Sequence, residues 1–469
     1  MDFAKSLVFG RPDAEPATGE SMQAFAKFAA GALVFLALPA LAQPLNPFIT
    51  FTPFHANGLY KAGERYGWTV RAPMGMSTQD PLSYDYTIRE NNLTVIASGT
   101  IDLSSGSAII AGTLDHPAMA YVRLTPNRDG MVTPPAAAAP GRGPTGPSPA
   151  DLDKLTVAAA IDATNFKPSI PRPADFDAFW AGKLAALAQV PINPQLTPLP
   201  APKPNVDFFK VQLDSVGSHV QGYLATPKSG GKHPAILLYQ YAGVYALDPR
   251  TAADRAAEGW LAFNVDSHDQ DPALQDGAPR NYAMVGANDR ETSYFLSMYL
   301  RDTRAIDYIR SRPDWDGKTI VVMGTSMGGQ QSFATAGLNP DVTALVVNVP
   351  AGFDVNGEKA GRKTGYPGWP SEDAAIMRAG QYFDPVNFAS KIKAKSVVAF
   401  GMIDTTSPPA GVFTAFDQIP AAKEAIPMVA SDHNHITPQK QEAYLQRQQE
   451  VLATILKTGT FIPNADWAK

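Results

Sequence analysis

Three regimes of hydrophobic patterning follow one another along the chain. From about Pro44 to Asn127, short runs alternate apolar and polar residues: "GWTVRAP", "YDYTIRE", "LTVIASGTI", "SAIIAGTL" and "AYVRLTP". Period-two alternation puts every second side chain on one strand face, and turns such as "SSGS" break the runs. The region 44–130 therefore predicts a small antiparallel β-sandwich. Its aromatics Trp68, Tyr84 and Tyr86 suit either the sandwich core or a sugar-binding face. Residues 131–150 are rich in Pro, Ala and Gly, cannot bury a core, and read as a linker with few contacts across it.

In the third regime, 151–469, the alternation gives way to helical spacing and unbroken apolar runs. "RPADFDAFWAGKLAALAQVPINP" sets Phe176, Phe179 and Trp180 on one helical face, predicting an amphipathic helix laid on the following domain. After a hairpin ("FFKVQLDSVGSHVQGYLATP"), the runs "PAILLYQ", "LAFNVD", "TIVVMG", "ALVVNVP" and "SVVAFGM" alternate with helical patterns such as "SYFLSMYLRDTRAIDYIRS". Strands that are apolar on both faces are covered by helices on both sides. The prediction is an α/β domain with a doubly wound, mostly parallel sheet.

Residues 1–42 stand apart. "FAAGALVFLALPALA" follows Lys27 and closes on Ala40-Leu41-Ala42 before Gln43. An apolar run this short with an A-x-A ending reads as a secretory signal peptide, with Met22 as a candidate start. A periplasmic or secreted protein is expected, with no integral membrane segment after removal of the signal. The net charge of −5 and the absence of Lys/Arg clusters argue against a nucleic-acid partner. The chain has no cysteine, which excludes disulfides, thiol nucleophiles and Cys-ligated zinc.

The chemistry centres on "TIVVMGTSMGGQQ". Gly324-x-Ser326-x-Gly328 between a strand and a helix is a nucleophile-elbow pattern and points to an α/β-hydrolase. The serine stands at a helix N-terminus, where the dipole favours developing negative charge, and the Met327 N–H is an oxyanion donor. A serine needs a base oriented by a carboxylate, in the chain order Ser, Asp or Glu, His. The histidines after Ser326 are His433 and His435, in "ASDHNHIT", and His435 is the alternative base. Asp404, in "SVVAFGMIDTTSPP", follows a strand end; Asp354 and Asp432 are its rivals. The His-x-His pair could contribute two zinc ligands, but no third ligand or water-activating carboxylate is evident, so no metal and no cofactor are expected. In the polar loop "AGFDVNGEKAGRKTGYPGWPSED", Tyr366 and Trp369 either stack on a sugar ring or anchor the loop.

From about Pro171 onward the chain resembles the acetyl xylan esterase and cephalosporin C deacetylase family, carbohydrate esterase family 7. The resemblance rests on "RPADFDAFW", "GTSMGGQ", "GMIDTTSPPAGVFTAFDQI" with "AAKEA" after it, and a histidine ten residues beyond Lys423. It implies Ser326 as nucleophile, Asp404 as acid and His433 as base, with an acetylated carbohydrate as substrate. There are departures from the family pattern. The family's His-Gly-Tyr is replaced within "YQYAGVY", so the second oxyanion donor implied is the backbone of Tyr241 or Ala242. Its Arg-Gly-Gln-Gly is replaced by "SHDQDP", with Gln270 retained. Because that motif helps form oligomers in the family, a homo-oligomer stays an open option. The alternatives are a prolyl-oligopeptidase-like peptidase, which shares the fold and triad order, and a non-catalytic polysaccharide-binding protein.

Overall fold

A computed structural model describes residues 49–72, 83–127, 155–433 and 438–468. The expected signal segment, the expected linker 131–150 and His435 lie outside the described residues.

The N-terminal strands are β1 (Thr50–Pro53), β2 (Leu59–Tyr60), β3 (Arg65–Arg71), β4 (Ser83–Glu90), β5 (Thr94–Asp102), β6 (Ser107–Thr113), β7 (Ala118–Pro126) and β8 (Thr156–Ile161). They form a three-stranded sheet, β1-β3-β6, and a five-stranded sheet, β2-β8-β7-β4-β5. All pairs are antiparallel except β2 with β8. Trp68, Val70 and Ile110 of the first sheet pack against Tyr84, Ile88, Ala120 and Val122 of the second. Trp68 and Tyr84 are thus core residues, with Tyr86 packed at its edge, and none of the three forms an exposed sugar face.

Two features correct the expected domain layout. Strand β8 belongs to the five-stranded sheet, although the sequence boundary at 151 assigned it to the following domain. Moreover, β7 and β8 are buried on both faces: Ala120, Val122 and Ala159 point into the sandwich, while Met119, Tyr121, Ala158 and Ala160 join the core of the α/β domain. "AMAYV" and "VAAAI" are accordingly unbroken apolar runs, the mark of a strand covered on both sides. The sandwich shares a core with the α/β domain, in place of the sparse contact expected across a linker.

That domain holds a nine-stranded sheet of order β17-β16-β15-β14-β12-β13-β11-β10-β9. Its strands are β9 (Gln195–Pro198), β10 (Val206–Ser215), β11 (Ser218–Pro227), β12 (His233–Tyr239), β13 (Leu261–Val265), β14 (Trp315–Thr325), β15 (Ala344–Asn348), β16 (Lys395–Gly401) and β17 (Lys423–Met428). Strands β12 to β17 run parallel, and β9 to β11 extend the sheet antiparallel. The helices are α1 (Phe176–Ala188), α2 (Arg250–Glu258), α3 (Tyr294–Ser311), α4 (Met327–Leu338), α5 (Ala374–Gly380), α6 (Pro385–Ala389), α7 (Pro409–Gln418) and α8 (Pro438–Thr458).

Alternation along β12 explains the two helical layers. Ile236 and Leu238 face α2 and α8, while Ala235 and Leu237 face the core shared with α3, α4 and α7. Helix α1 buries Phe176, Phe179 and Trp180 against Tyr299 and Phe388, as its spacing predicts. Each such side chain contributes about 1.5–3 kcal/mol through burial. This is the doubly wound α/β-hydrolase architecture, with a β-sandwich packed on it.

Candidate active site

At the C-terminal end of β14 the chain turns sharply into α4, and Ser326 occupies the turn with φ 58° and ψ −122°. An L-residue holds this conformation only where its surroundings enforce it. The Ser326 N–H donates to the Asn348 carbonyl at 3.0 Å, and the Ser326 carbonyl accepts from Gln330 and Ala351. The two flanking glycines are required by close approach. A Cβ on Gly324 would stand 2.3 Å from the Gly328 backbone, and one on Gly328 would stand 2.3 Å from the Tyr239 carbonyl. Strand and helix can therefore touch only through bare backbone.

Two further strand ends complete the cluster. Past β16, Asp404 is fully buried, and one of its oxygens accepts the N–H groups of Thr406 at 2.8 Å and Ser407 at 2.7 Å. Its other oxygen lies 2.7 Å from His433 Nδ1. His433 Nε2 is 2.9 Å from Ser326 Oγ. A carboxylate can only accept, so the Nδ1 proton points to Asp404 and Nε2 is left to accept the serine hydroxyl. Burial raises the Asp404 carboxyl above the usual aspartate range, and the bonds from His433, Ser407 and Thr406 pull it back towards the charged form.

The rival acids are engaged elsewhere. Asp354 accepts the Ser169 N–H and hydroxyl and pairs with Arg362 at 2.8 Å. Asp432 pairs with Lys440 at 3.3 Å. Among the described residues no group of three or more His, Asp or Glu side chains stands together in a way that could hold a metal ion.

The loop after β12 carries Tyr241 and Ala242 over the N-terminus of α4. The Gln240 carbonyl accepts from Gln331 Nε2 at 2.9 Å, and the Tyr241 carbonyl accepts from the Tyr245 hydroxyl at 3.3 Å. With those carbonyls turned away, the N–H groups of Tyr241, Ala242 and Met327 enter no hydrogen bond among the described residues. Tyr241 is 49 % exposed and its ring stacks on Tyr245 at 4.6 Å, an aromatic pair that sequence spacing did not single out.

Trp369 is a correction. It is only 8 % exposed, its indole N–H donates to the Ala283 carbonyl at 2.8 Å, and its ring meets Phe295 edge-on. It holds the loop and presents no face to a sugar. The Tyr366 hydroxyl stands 3.1 Å from Met327 Sδ and 3.0 Å from the Tyr282 hydroxyl, so its polar end points at neighbouring side chains behind the elbow. His268 and Tyr282, absent from the sequence reading as site residues, lie in that layer. "SHDQDP" stood out there only as a departure from a family motif.

Comparison with known proteins agrees with this geometry. The acetyl xylan esterase (AXE1) family model matches residues 159–356 and 365–450, more than half of the chain. Acetyl esterase Axe7A of Xylanibacter ruminicola is 30% identical over 403 residues, covering 81% of this chain and 85% of that protein. The solved acetyl xylan esterase from Paenibacillus sp. R4 is 25% identical, covers 61% of this chain and 98% of its own, and superposes with a TM-score of 0.54. Acetyl xylan esterase 1 from Thermoanaerobacterium sp. JW/SL YS485, at 22% identity and a TM-score of 0.54, covers 62% of this chain and 97% of its own and shares the fold. An elbow serine, a buried carboxylate and a bridging imidazole on a doubly wound sheet, together with these matches, place the chain in the acetyl xylan esterase family of α/β-hydrolases, as a carboxylic ester hydrolase.

Proposed function

We propose that the protein is a periplasmic or secreted serine esterase that removes O-acetyl groups from xylan or acetylated xylo-oligosaccharides. The observation that carries the mechanism is the unbroken chain Ser326 Oγ–His433 Nε2, 2.9 Å, and His433 Nδ1–Asp404 Oδ2, 2.7 Å. His433 takes the serine proton as Oγ attacks the ester carbonyl, and Asp404 steadies the imidazolium that forms. The Met327 N–H and that of Tyr241 or Ala242 receive the developing oxyanion. His433 then gives that proton to the departing sugar oxygen, which leaves as a hydroxyl, and water, activated by the same imidazole, releases acetate from the acyl-enzyme. No cofactor enters these steps.

The substrate class is supported by the family and by the names of its relatives. The location is supported by the apolar segment ending at Ala42, and no helix among the described residues is long and apolar enough to cross a membrane. The test is Ser326→Ala assayed on acetylated xylo-oligosaccharides, with fluorophosphonate labelling and peptide mapping of the unmodified protein. The expected outcome is a loss of about 10⁴-fold or more in kcat and a label on the Ser326 peptide. A loss of only a few-fold, or a label elsewhere, overturns the assignment.

A further inference from the structure

The two backbone segments read as oxyanion donors meet behind the elbow at one side chain. The Tyr282 hydroxyl accepts the Gly243 N–H at 3.3 Å and lies 3.3 Å from Met327 Sδ and 3.0 Å from the Tyr366 hydroxyl. Tyr366 reaches the same sulfur at 3.1 Å. Whichever tyrosine donates to the other, one hydroxyl proton remains for the sulfur. The loop of Tyr241 and Ala242 and the first residue of α4 are therefore tied together through Tyr282.

His268 secures the other side of Gly243. It is fully buried, its Nε2 is 3.0 Å from the Gly243 carbonyl, and its Nδ1 is 2.8 Å from the Tyr294 hydroxyl. Its ring meets Tyr282 edge-on with centroids 4.8 Å apart. A carbonyl only accepts, so Nε2 carries the proton and Nδ1 accepts from Tyr294. Burial holds the imidazole pKa down at about 4, in keeping with that neutral tautomer. Asp266 fixes the backbone beneath the ring by accepting the His268 N–H at 2.8 Å. Gly243 has φ +124°, a backbone turn that L-residues rarely adopt, and both of its polar groups are engaged. With the carbonyls of Gln240 and Tyr241 also held, the N–H groups of Tyr241 and Ala242 have their directions set from both sides.

We propose that His268 and Tyr282 are positioning residues for the oxyanion hole. The Nε2–H of His268 fixes the Gly243 carbonyl, and the Tyr282 hydroxyl couples the Gly243 N–H to the Met327 side chain. The proposal rests on the Ser326 reading above and deepens it. His268 falls in "SHDQDP", and both it and Tyr282 bond to Gly243 of "YQYAGVY", the two segments that depart from the family pattern. An oxyanion donor stabilises the transition state only when aimed at the position the charged oxygen will take, so loosening the loop lowers kcat and spares ground-state binding.

The test compares His268→Gln, His268→Asn and Tyr282→Phe on p-nitrophenyl acetate, with kcat and KM separated and thermal unfolding recorded for each. A glutamine amide nitrogen is as many bonds from Cα as Nε2 and can still reach the Gly243 carbonyl. An asparagine amide reaches only as far as Nδ1. His268→Gln should stay within about threefold of the parent kcat, whereas His268→Asn and Tyr282→Phe should lose about tenfold or more with KM within about twofold, since outright loss of a donor costs 10²–10³. Equal kcat for the glutamine and asparagine variants, or a loss confined to KM, overturns the positioning role. So does full kcat in Tyr282→Phe, which keeps the ring and removes only the hydroxyl. Ser326→Ala, run alongside, separates the two levels of inference. If it is inactive while His268→Asn matches His268→Gln, the positioning role alone falls; if it is active, both fall.

Discussion

Gly58 of the sandwich faces Met402: a Cβ built on it would make ordinary van der Waals contact, 3.5 Å from Met402 Cε and 3.5 Å from Val429 Cγ2. Met402 is two residues before Asp404, and Val429 is four before His433. The sandwich thus braces the two loops that carry Asp404 and His433. Tyr121 on β7 joins the same core, and its hydroxyl is pushed far above the usual tyrosine range by burial first and by the negative Asp404 second. The sandwich also meets the α/β domain where the Lys363 N–H donates to the Asn91 carbonyl at 3.0 Å.

Removing residues 1–161 should therefore yield an insoluble or aggregating fragment. Met402 and Ile403 would lose their cover, and an apolar patch of that kind drives association. Expression of residues 162–469, followed by size-exclusion chromatography, checks this. A monodisperse fragment with the parent's unfolding midpoint would show that the shared core contributes little.

Trp369→Ala should lower stability by about 3–5 kcal/mol, the usual cost of emptying a buried indole site. Gly380 abuts the ring, where a Cβ would stand 2.4 Å from it, and the indole N–H bond to Ala283 would also be lost. Activity on p-nitrophenyl acetate and on acetylated xylo-oligosaccharides should fall in parallel as the loop loosens. A selective rise in KM for the oligosaccharide, with unchanged stability, would restore the stacking role.

His433→Ala should match Ser326→Ala, because His433 touches both Ser326 and Asp404. His435→Ala should remain within about tenfold of the parent in kcat, since triad members act as a unit and residues outside it do not. Steady-state kinetics on p-nitrophenyl acetate distinguishes the two, and the reverse ranking would shift the base by two residues.

The contribution of three buried aspartates to stability should decline as pH rises from about 4 to about 7, against the opposite contribution of His268, whose pKa is held down at about 4. Asp266, Asp384 and Asp417 are each raised to about 7, chiefly because burial strips water from the charged carboxylate. Since an unfolded aspartate titrates near about 3.9, the folded state holds these protons more tightly. Their stabilising contribution is complete below that value and is lost as pH passes through about 7. Asp417 accepts the Phe166 N–H at 2.8 Å, so Asp417→Asn should keep that bond and flatten its share of the pH dependence. Thermal unfolding from pH 4 to 8 measures this; an unchanged slope in the variant would count against it.

The elbow was legible because its constraint is local. Gly324 and Gly328 are needed wherever a strand and a helix meet backbone to backbone around a serine, and that requirement appears within five consecutive residues. The parallel sheet was legible for a similar reason, since burial on both faces turns each strand into an unbroken apolar run. That same signal was present in "AMAYV" and "VAAAI", where strong alternation in neighbouring strands masked it, and the boundary was placed too early.

What the sequence by itself determined was the set of chemical groups, their chain order and the periodicity of the elements that carry them. The tertiary structure decided which faces meet. It brought Asp404 to His433 by setting the ends of β14 and β16 and the loop after β17 along one edge of the sheet, while Asp354 is engaged by Ser169 and Arg362. It buried Trp369, whose loop composition allowed either exposure or anchoring, and it made the sandwich a brace for the loops of Asp404 and His433. Local patterns report the environment a residue requires, whereas pairings between separate elements depend on how finished elements pack. Tyr282 meets Met327, and His268 meets Gly243, only once those elements are in place.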